Sequence, residues 1–326
     1  MEEGMKRHAN IPIFVPHIGC PNDCVFCNQR TISGRTSFDV DGVEEEIEKA
    51  LGTISSFVPQ VAFFGGSFTG IERSLMIKLL ETANKFIKEG RVSSIRLSTR
   101  PDYIDEEILS ILKFYKVANI ELGIQSTNDE VLTLNKRGHD AKTSLYAMDL
   151  IVKEGFELTG QMMTGMFGGN EENERQTALD IISHGATSAR VYPTVVFSST
   201  ALGDLYLSGK YQPPTLDETV ERGAKVVGLF LKNNVDVIRI GLQSGEGLHS
   251  DDVIAGDYHD AIGELILSRL RLDEMREKLR KMDLKKGEKV FLEVPEKLLS
   301  QYLGQKKVNL KKLSDEFSVD VFLVKT

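Results

Sequence analysis

The sequence predicts an α/β protein: a β/α barrel, complete or partial, followed by a small α+β appendage. Three observations predict it. Short β-branched or aromatic runs alternate with stretches of helical period along most of the 326 residues, the pattern of a parallel sheet covered by helices. Several runs end in a glycine or polar cluster that a buried parallel strand does not need, and in a β/α barrel all such ends face one mouth. The tail beyond residue 283 drops this alternation and reads strand, helix, turn, helix, strand. A doubly wound sheet is the competing arrangement of the same elements.

IPIFVPHI (11–18) opens the series as a strand and stops just before Cys20. A helical pattern near 43–54 leads to QVAFFGG (60–66), which runs into Gly65-Gly66-Ser67. Helical spacing over 71–89 precedes SIRLSTR (94–100), ending in Ser98-Thr99-Arg100, and another helix near 104–115 precedes NIELGIQS (119–126), ending in Gln125-Ser126. Two helical stretches, 128–137 and 140–154, separate that strand from ELTGQMMTG (157–165), which closes on Gly165. The pattern over 173–185 leads to SARVYPTVVF (188–197), the sixth strand, with Tyr192-Pro193 inside it. VDVIRIGLQ (235–243), after a helix over 215–233, is a candidate further strand. Glycine and serine after a strand are ordinary turn formers when taken singly, but five such clusters in phase point to loops that build a common site.

Composition and charge exclude several classes. With 41% hydrophobic and 27% charged residues and no low-complexity tract, the chain can bury a large core. A net charge of −8 argues against a surface coated for nucleic acid. The charge is uneven, however: from Arg269 onward 15 Lys plus Arg face 10 Asp plus Glu, so a tail of +5 follows a body of −13. The opening MEEGMKRHAN has no apolar run, and the next apolar stretch is broken by Pro12, Pro16 and His17, so neither an export signal nor a membrane anchor is expected. Three cysteines cannot all pair with one another; a disulfide framework is not expected, and the expected compartment is the cytoplasm.

All three cysteines fall within CPNDCVFC, residues 20–27. Thiolates spaced C-x3-C-x2-C on one loop can converge on one centre, and soft sulfur selects zinc or an iron–sulfur cluster. A structural zinc site wants four closed ligands, and His17 is near enough in sequence to be the fourth. Without that histidine, three cysteines leave one iron of a [4Fe–4S] cube without a protein ligand.

This spacing, with the aromatic Phe26 just before the last cysteine, resembles the signature of the radical S-adenosylmethionine enzymes. The resemblance implies a partial (β/α)6 barrel, with Cys20, Cys24 and Cys27 as ligands of a [4Fe–4S] cluster. It implies S-adenosylmethionine on the open iron and its cleavage to a 5′-deoxyadenosyl radical. An electron donor such as flavodoxin or ferredoxin is then an expected partner. Phe26 belongs to the implied cofactor pocket. Gly65-Gly66-Ser67 resembles the family's glycine-rich turn, where bare backbone meets the methionine amino group; the usual acidic third residue is Ser67 here. Ser98, Thr99 and Arg100 match positions that contact the ribose or carboxylate. Gln125 and Arg137 match positions that bind the nucleoside and the carboxylate, and Gly165 one beside the adenine. Arginine suits a carboxylate because its planar fork donates two hydrogen bonds, whereas a solvated helix-end arginine is the plain alternative for Arg137.

Longer words narrow the resemblance. VPHIGCPNDCVFCNQ, FFGGSFTG, LSTRPDYI, ELGIQSTNDEVLTLNKRGH and DYHDAIGELI (257–266) are similar to the radical domain of the Elongator catalytic subunit and its stand-alone bacterial relatives, from about residue 10 to about 270. The Elongator subunit adds an acetyltransferase domain and modifies the wobble uridine of tRNA. The 56 residues after 270 leave no expectation of an acetyl-CoA domain here.

Ile262, Leu265, Ile266, Leu270, Met275, Leu279 and Met282 recur at helical spacing and lead out of the barrel. After Lys285-Lys286-Gly287 come a strand VFLEV (290–294), a helix from Pro295, the turn GQKK (304–307), a helix from Asn309 and a strand VDVFLV (319–324). The order resembles the core of a KH module, whose GXXG turn clamps nucleic-acid backbone. Residues 1–283 are accordingly expected to form the barrel with its linking helix, and 284–326 the module. Lys307 in place of the second glycine adds charge and removes backbone freedom. Lysines on a solvated face are the plain alternative.

Tyr192 and His259, the latter in GDYHDA, are candidate catalytic donors of a hydrogen or a proton. Lys136 and His139 are candidate contacts to a substrate phosphate. The expected function is a radical enzyme acting on RNA, tRNA foremost. Competing expectations are radical oxidation of a small molecule such as a porphyrin precursor, and a non-catalytic RNA-binding protein with a Cys3His zinc knuckle.

Overall fold

Period-two burial separates the two faces of the first strand: Ile11, Ile13 and Val15 are buried, while Pro12 is exposed and Phe14 half-buried. The same split runs through the strands that follow, so one sheet carries an apolar face and a polar face. The computed structural model describes residues 10–15, 20, 24–27, 38–54, 57–242, 252–256 and 258–326. His17 and Asp257 lie outside them.

The strands of the main sheet are β1 Asn10–Val15, β2 Gln60–Gly65, β3 Ile95–Thr99, β4 Val117–Gln125, β5 Glu157–Thr164, β6 Ser188–Pro193 and β8 Asp236–Ile240. They pair in the order β1-β2-β3-β4-β5-β6-β8, every pair parallel, which is the curled, partial form of a β/α barrel. Among the described residues the sheet therefore has seven strands, the expected six and the candidate strand after residue 235, which is its far edge. The stretch 188–197 is not one strand. The last ladder bond of β6 runs from Thr194 N–H to the Thr164 carbonyl at 2.9 Å, and the Thr194 hydroxyl donates to the same oxygen at 2.8 Å. Beyond it, β7 Val196–Phe197 pairs antiparallel with β9 Val253–Ala255.

Helices cross over between the strands: α1 Val43–Leu51, α2 Arg73–Lys88, α3 Glu106–Phe114, α4 Asp129–Leu134, α5 Ala141–Lys153, α6 Glu171–Ser183, α7 Ala201–Leu207 and α8 Leu216–Lys232. Several begin where a polar side chain accepts from the backbone of the first turn, as Asp105, Asn128, Asp140, Asn170 and Thr215 do. Their apolar faces cover the sheet's outer side, where Ile13, Phe63, Leu97, Leu122, Met162 and Val191 meet Leu79, Leu112, Ile151, Ile181 and Val227. The inner face is polar, with Arg96, Ser98, Glu121, Gln161 and Arg190 at alternating positions. Among the described residues, no helix is long and apolar enough to cross a membrane.

β2 ends on a glycine because nothing larger fits. Gly65 has φ +118°, and a Cβ there would lie 2.1 Å from the Val15 carbonyl oxygen. Gly65→Ala should cost more than about 2 kcal/mol, through strain at a backbone conformation reserved for glycine. Urea unfolding reads this directly, and a loss below about 1 kcal/mol would show that β1 and β2 can part to admit a methyl group.

Helix α9, Ile262–Arg280, belongs to two cores. Ile262, Ile266 and Leu270 pack with the barrel, whereas Leu272, Met275 and Leu279 pack with Val290, Leu292, Val294, Tyr302, Leu313 and Val321 of the tail. The tail comprises β10 Lys289–Val294, α10 Leu299–Leu303, α11 Val308–Phe317 and β11 Asp320–Lys325, with β10 and β11 parallel. The expected order of elements holds. The helix at Pro295 begins as a 3-10 turn over Glu296–Leu298, and Met282 lies past the end of α9, exposed.

Candidate active site

At the mouth, the strands' carboxyl ends bring the cysteine loop against two buried arginines. The Arg100 Nη1 atom stands 4.0 Å from the sulfurs of both Cys20 and Cys24, which are therefore no more than twice that distance apart. Arg137 donates from Nη1 to the Cys24 sulfur at 3.3 Å. Residue spacing alone left Arg137 between a ligand contact and a solvated helix end; at 5% exposure it is buried. The cysteine loop is anchored on both sides: Val25 N–H donates to the Asn135 carbonyl at 3.2 Å, and the Val25 carbonyl accepts from Leu202 N–H at 2.7 Å. Phe26 joins Val25, Phe167, Leu202 and Tyr211 in a small apolar cluster beneath the loop. No disulfide joins the three cysteines.

Each arginine is held in place by a partner. Arg100 grips Asp102 with Nε and Nη2, both at 2.9 Å, and donates also to the Arg137 carbonyl. Burial works against its charge, but Asp102 and the two sulfurs more than offset this and raise its pKa. Arg137 donates from Nη2 to the Gly123 carbonyl at 2.6 Å and faces His139 Nε2 at 3.4 Å. Burial and the Arg137 guanidinium push the His139 imidazole down to about 4, so it is neutral at physiological pH and ill suited to a phosphate. The unfolded imidazole takes its proton near 6.5, so stability should fall as pH drops from about 6.5 to about 4, by up to about 3 kcal/mol. Thermal melts across that range read the loss, and His139→Gln should flatten it; an unchanged slope in the variant would assign the effect elsewhere.

The glycine-rich turn is fixed from below. Gly66 N–H donates to the Val15 carbonyl at 3.1 Å. Ser67 is 2% exposed; its hydroxyl bonds Thr99 Oγ1 at 2.8 Å and accepts from Arg100 N–H at 3.3 Å. That hydroxyl ties β2 to β3 instead of pointing into the mouth. Gln125, at the end of β4, has φ +67°, rare for a residue with a side chain, and its buried Oε1 has no hydrogen-bond partner among the described residues.

Below the mouth lies a charged network that sequence reasoning missed. Glu121 is fully buried and accepts from Arg96 at 3.0 Å, Gln161 at 3.1 Å and Ser98 at 3.4 Å, with Arg190 Nε 2.7 Å away. The Arg190 guanidinium lies over the Phe64 ring, 5.3 Å from its centroid, and donates to the Tyr192 hydroxyl at 3.5 Å. Burial raises the Tyr192 phenol against the pull of Arg190, so the phenol keeps its proton. The missed signal was visible: a charged residue at the middle of an otherwise apolar parallel strand, Arg96 in SIRLSTR and Glu121 in NIELGIQS, must find a partner across the sheet.

Two expected positions serve other contacts. Gly165, φ +76°, donates its N–H to Glu174 Oε1 at 2.7 Å and accepts from the Tyr211 hydroxyl at 2.5 Å. It borders a groove of about 650 Å³ lined by Phe167, Lys210, Tyr211, Pro214 and Arg222. His259 accepts at Nδ1 from Ala261 N–H at 3.0 Å, and so organises the start of α9 beside Pro193, Gly241 and Tyr258. In the tail turn, Lys306 and Lys307 hold φ of +50° and +59°, a left-handed backbone that glycine adopts more readily. Lys136, exposed, shares that region with φ +51°.

Among the described residues, no group of three His, Cys, Asp or Glu is placed to close on a metal ion. The donor set nevertheless fits an iron–sulfur cluster with a polar co-ligand. The sulfurs of Cys20 and Cys24 face buried cations that suit thiolate charge, Cys27 follows on the same turn with its N–H bonded to the Cys24 carbonyl at 2.9 Å, and an unpartnered amide oxygen waits at the end of β4.

Comparison with known proteins agrees with this geometry. The family model described as the radical SAM superfamily matches residues 14–181, and the radical SAM C-terminal domain matches 186–271. An uncharacterized protein of Methanocaldococcus jannaschii is 26% identical over 88% of each chain. The tRNA uridine(34) acetyltransferase of Methanocaldococcus infernus is 28% identical over 44% of this chain and 28% of its own length. Mouse Elongator complex protein 3 is 28% identical over 41% of this chain and 25% of its own, so the match spans about a quarter of those longer proteins. Among solved structures, the archaeal Methanocaldococcus infernus Elp3 superposes with a TM-score of 0.64 at 20% identity, covering 86% of this chain and 66% of that one.

Proposed function

This chain belongs to the radical SAM superfamily, and on that premise we propose that it is a cytoplasmic RNA-modifying enzyme, with tRNA as its substrate class. The observation that carries the reading is the seating of Cys20 and Cys24 around the guanidiniums of Arg100 and Arg137 at the mouth of the barrel. Cys20, Cys24 and Cys27 hold a [4Fe–4S] cluster, and S-adenosylmethionine binds beside it with the backbone of Gly65 and Gly66 and the side chains of Phe26, Ser98, Gln125 and Arg137. When bound, the pair supplies a 5′-deoxyadenosyl radical that abstracts a substrate hydrogen.

The chain's own residues prepare that chemistry. Arg100 and Arg137 balance the charge of the sulfurs, and Asp102 fixes the first of them by a two-pronged pair. The free Oε1 of Gln125 offers an acceptor to a nucleoside donor. The Glu121 network keeps the wall below rigid, and Tyr192, protonated on its rim, can give a hydrogen to a substrate radical. His259 is a weaker candidate for such a role, because one ring nitrogen already serves the backbone of Ala261. A flavodoxin or ferredoxin supplies the electron.

RNA as substrate is supported by the names of the relatives and by the basic tail. We assign residues 1–283 to the radical domain and 284–326 to a KH-like module, with α9 shared between their cores. Anaerobic reconstitution should yield about four irons per chain and release 5′-deoxyadenosine on reduction with S-adenosylmethionine. Nucleoside mass spectrometry of tRNA from cells with and without the gene should then reveal one missing modified base. A colourless protein holding one zinc would defeat the enzyme reading, and an unchanged set of tRNA nucleosides would defeat the choice of substrate.

A further inference from the structure

The outer face of the tail sheet carries an aromatic pair in the open. Because β10 and β11 run parallel in register, Phe291 sits opposite Phe322 and Glu293 opposite Val324. Period-two alternation buries Val290, Leu292, Val294 and Val321 in the core shared with α9 and turns Phe291, Phe322 and Val324 outward, at 61%, 43% and 42% exposure. The two rings stack, with centroids 5.4 Å apart and planes 23° from parallel. Elsewhere a stacked pair such as Phe63 and Phe68 is fully buried. Two adjacent exposed rings on neighbouring strands have a cost in water that a ligand would relieve.

Charge beside the rings says which ligand. The arginines of α9 are engaged: Arg269 and Arg276 bind Asp273, Arg271 binds Glu274, and Arg276 and Arg280 reach Glu316. Lys285, Lys286 and Lys289, all exposed, make no ion pair among the described residues. Lys289 lies two positions before Phe291 on the same face of β10, with Asp320 opposite it in register and Glu293 on the far side of the ring, so the positive excess sits at the end where Lys285 and Lys286 lead into the strand. A protein partner is the poorer fit, since a stable interface buries roughly 800 Å² on each side and three side chains fall well short. A nucleobase needs only one ring, and a phosphate only one ammonium.

We propose that this face is a base-stacking platform for single-stranded RNA, with Phe291 and Phe322 stacking successive bases and Lys285, Lys286 and Lys289 facing the phosphates. It rests on the RNA reading above and adds a second surface, on the side of the sheet away from the helices and separate from the GQKK turn.

Fluorescence anisotropy of the full chain with a labelled uridine 12-mer, over a series of KCl concentrations, tests it. F291A/F322A should weaken binding at least about tenfold while leaving the salt slope unchanged, because stacking is lost and phosphate contacts are kept. F291W/F322W should restore it. K285Q/K286Q/K289Q should instead flatten the slope by about two to three. Both aromatic positions are exposed, so unchanged thermal melts will show that the alanine variant folds. Wild-type affinity in F291A/F322A overturns the platform but leaves the RNA reading intact if K306Q/K307Q weakens binding. A wild-type chain that binds no RNA overturns both. If F291A/F322A binds normally yet converts a dimer to a monomer in sedimentation, the face belongs to a second copy of the chain.

Discussion

Cys24→Ala should abolish the brown absorbance of the reconstituted protein and lower its iron from about four per chain to well below one. Cys24 is the sulfur on which the site converges: it is 6% exposed, accepts from Arg137 at 3.3 Å and lies 4.0 Å from Arg100. Removing it leaves two buried guanidiniums facing a methyl group, with two remaining sulfurs that cannot hold a cube. Release of 5′-deoxyadenosine should become undetectable. Cys20→Ala and Cys27→Ala should behave alike, because each removes one of three ligands. Full iron and turnover in any of the three would mean that a different residue closes the cluster, and the assignment of the site would fail.

Glu121→Gln should be the most destabilising single change in the barrel interior. One carboxylate, 1% exposed at its side chain, answers Arg96 at 3.0 Å and Arg190 at 2.7 Å, whose side chains are 10% and 16% exposed. With the charge gone, two buried cations oppose each other without a counter-charge, which costs about 3–5 kcal/mol. Urea unfolding of the apoprotein measures it without reference to turnover. The double variant E121M/R190M should lose less than the sum of its single changes, because it removes both ends of the pair. Additive losses, or an E121Q variant within about 1 kcal/mol of wild type, would show that water reaches the network and screens it.

Much of the fold was legible because period and punctuation are local properties. Each of the seven crossover helices expected between residues 43 and 233 is present, displaced by a few residues at its ends, where the capping side chains of Asp105, Asn170 and Thr215 set the true start. The expected single strand over 188–197 failed because Val196 and Phe197 leave the main sheet and pair antiparallel with β9, a partner far along the chain that no local pattern announces. The boundary at 283 likewise hid the division of labour in α9, since nothing in a helical repeat tells which of two cores each turn will meet. Arg137 was undecidable from its neighbours in sequence and became a buried contact of Cys24 only when the loop after β1 met the loop after α4.

The sequence by itself determined the alternation of strands and helices, the trio of cysteines and the family they belong to, because each depends on residue type at short spacing. Only the tertiary structure decided that Ser67 ties strands together, that Glu121 is caught between two arginines, and that two phenylalanines of the tail face outward side by side. Those facts depend on register between strands distant in the chain, and register is set by the packing of the whole sheet and not by any one stretch of it.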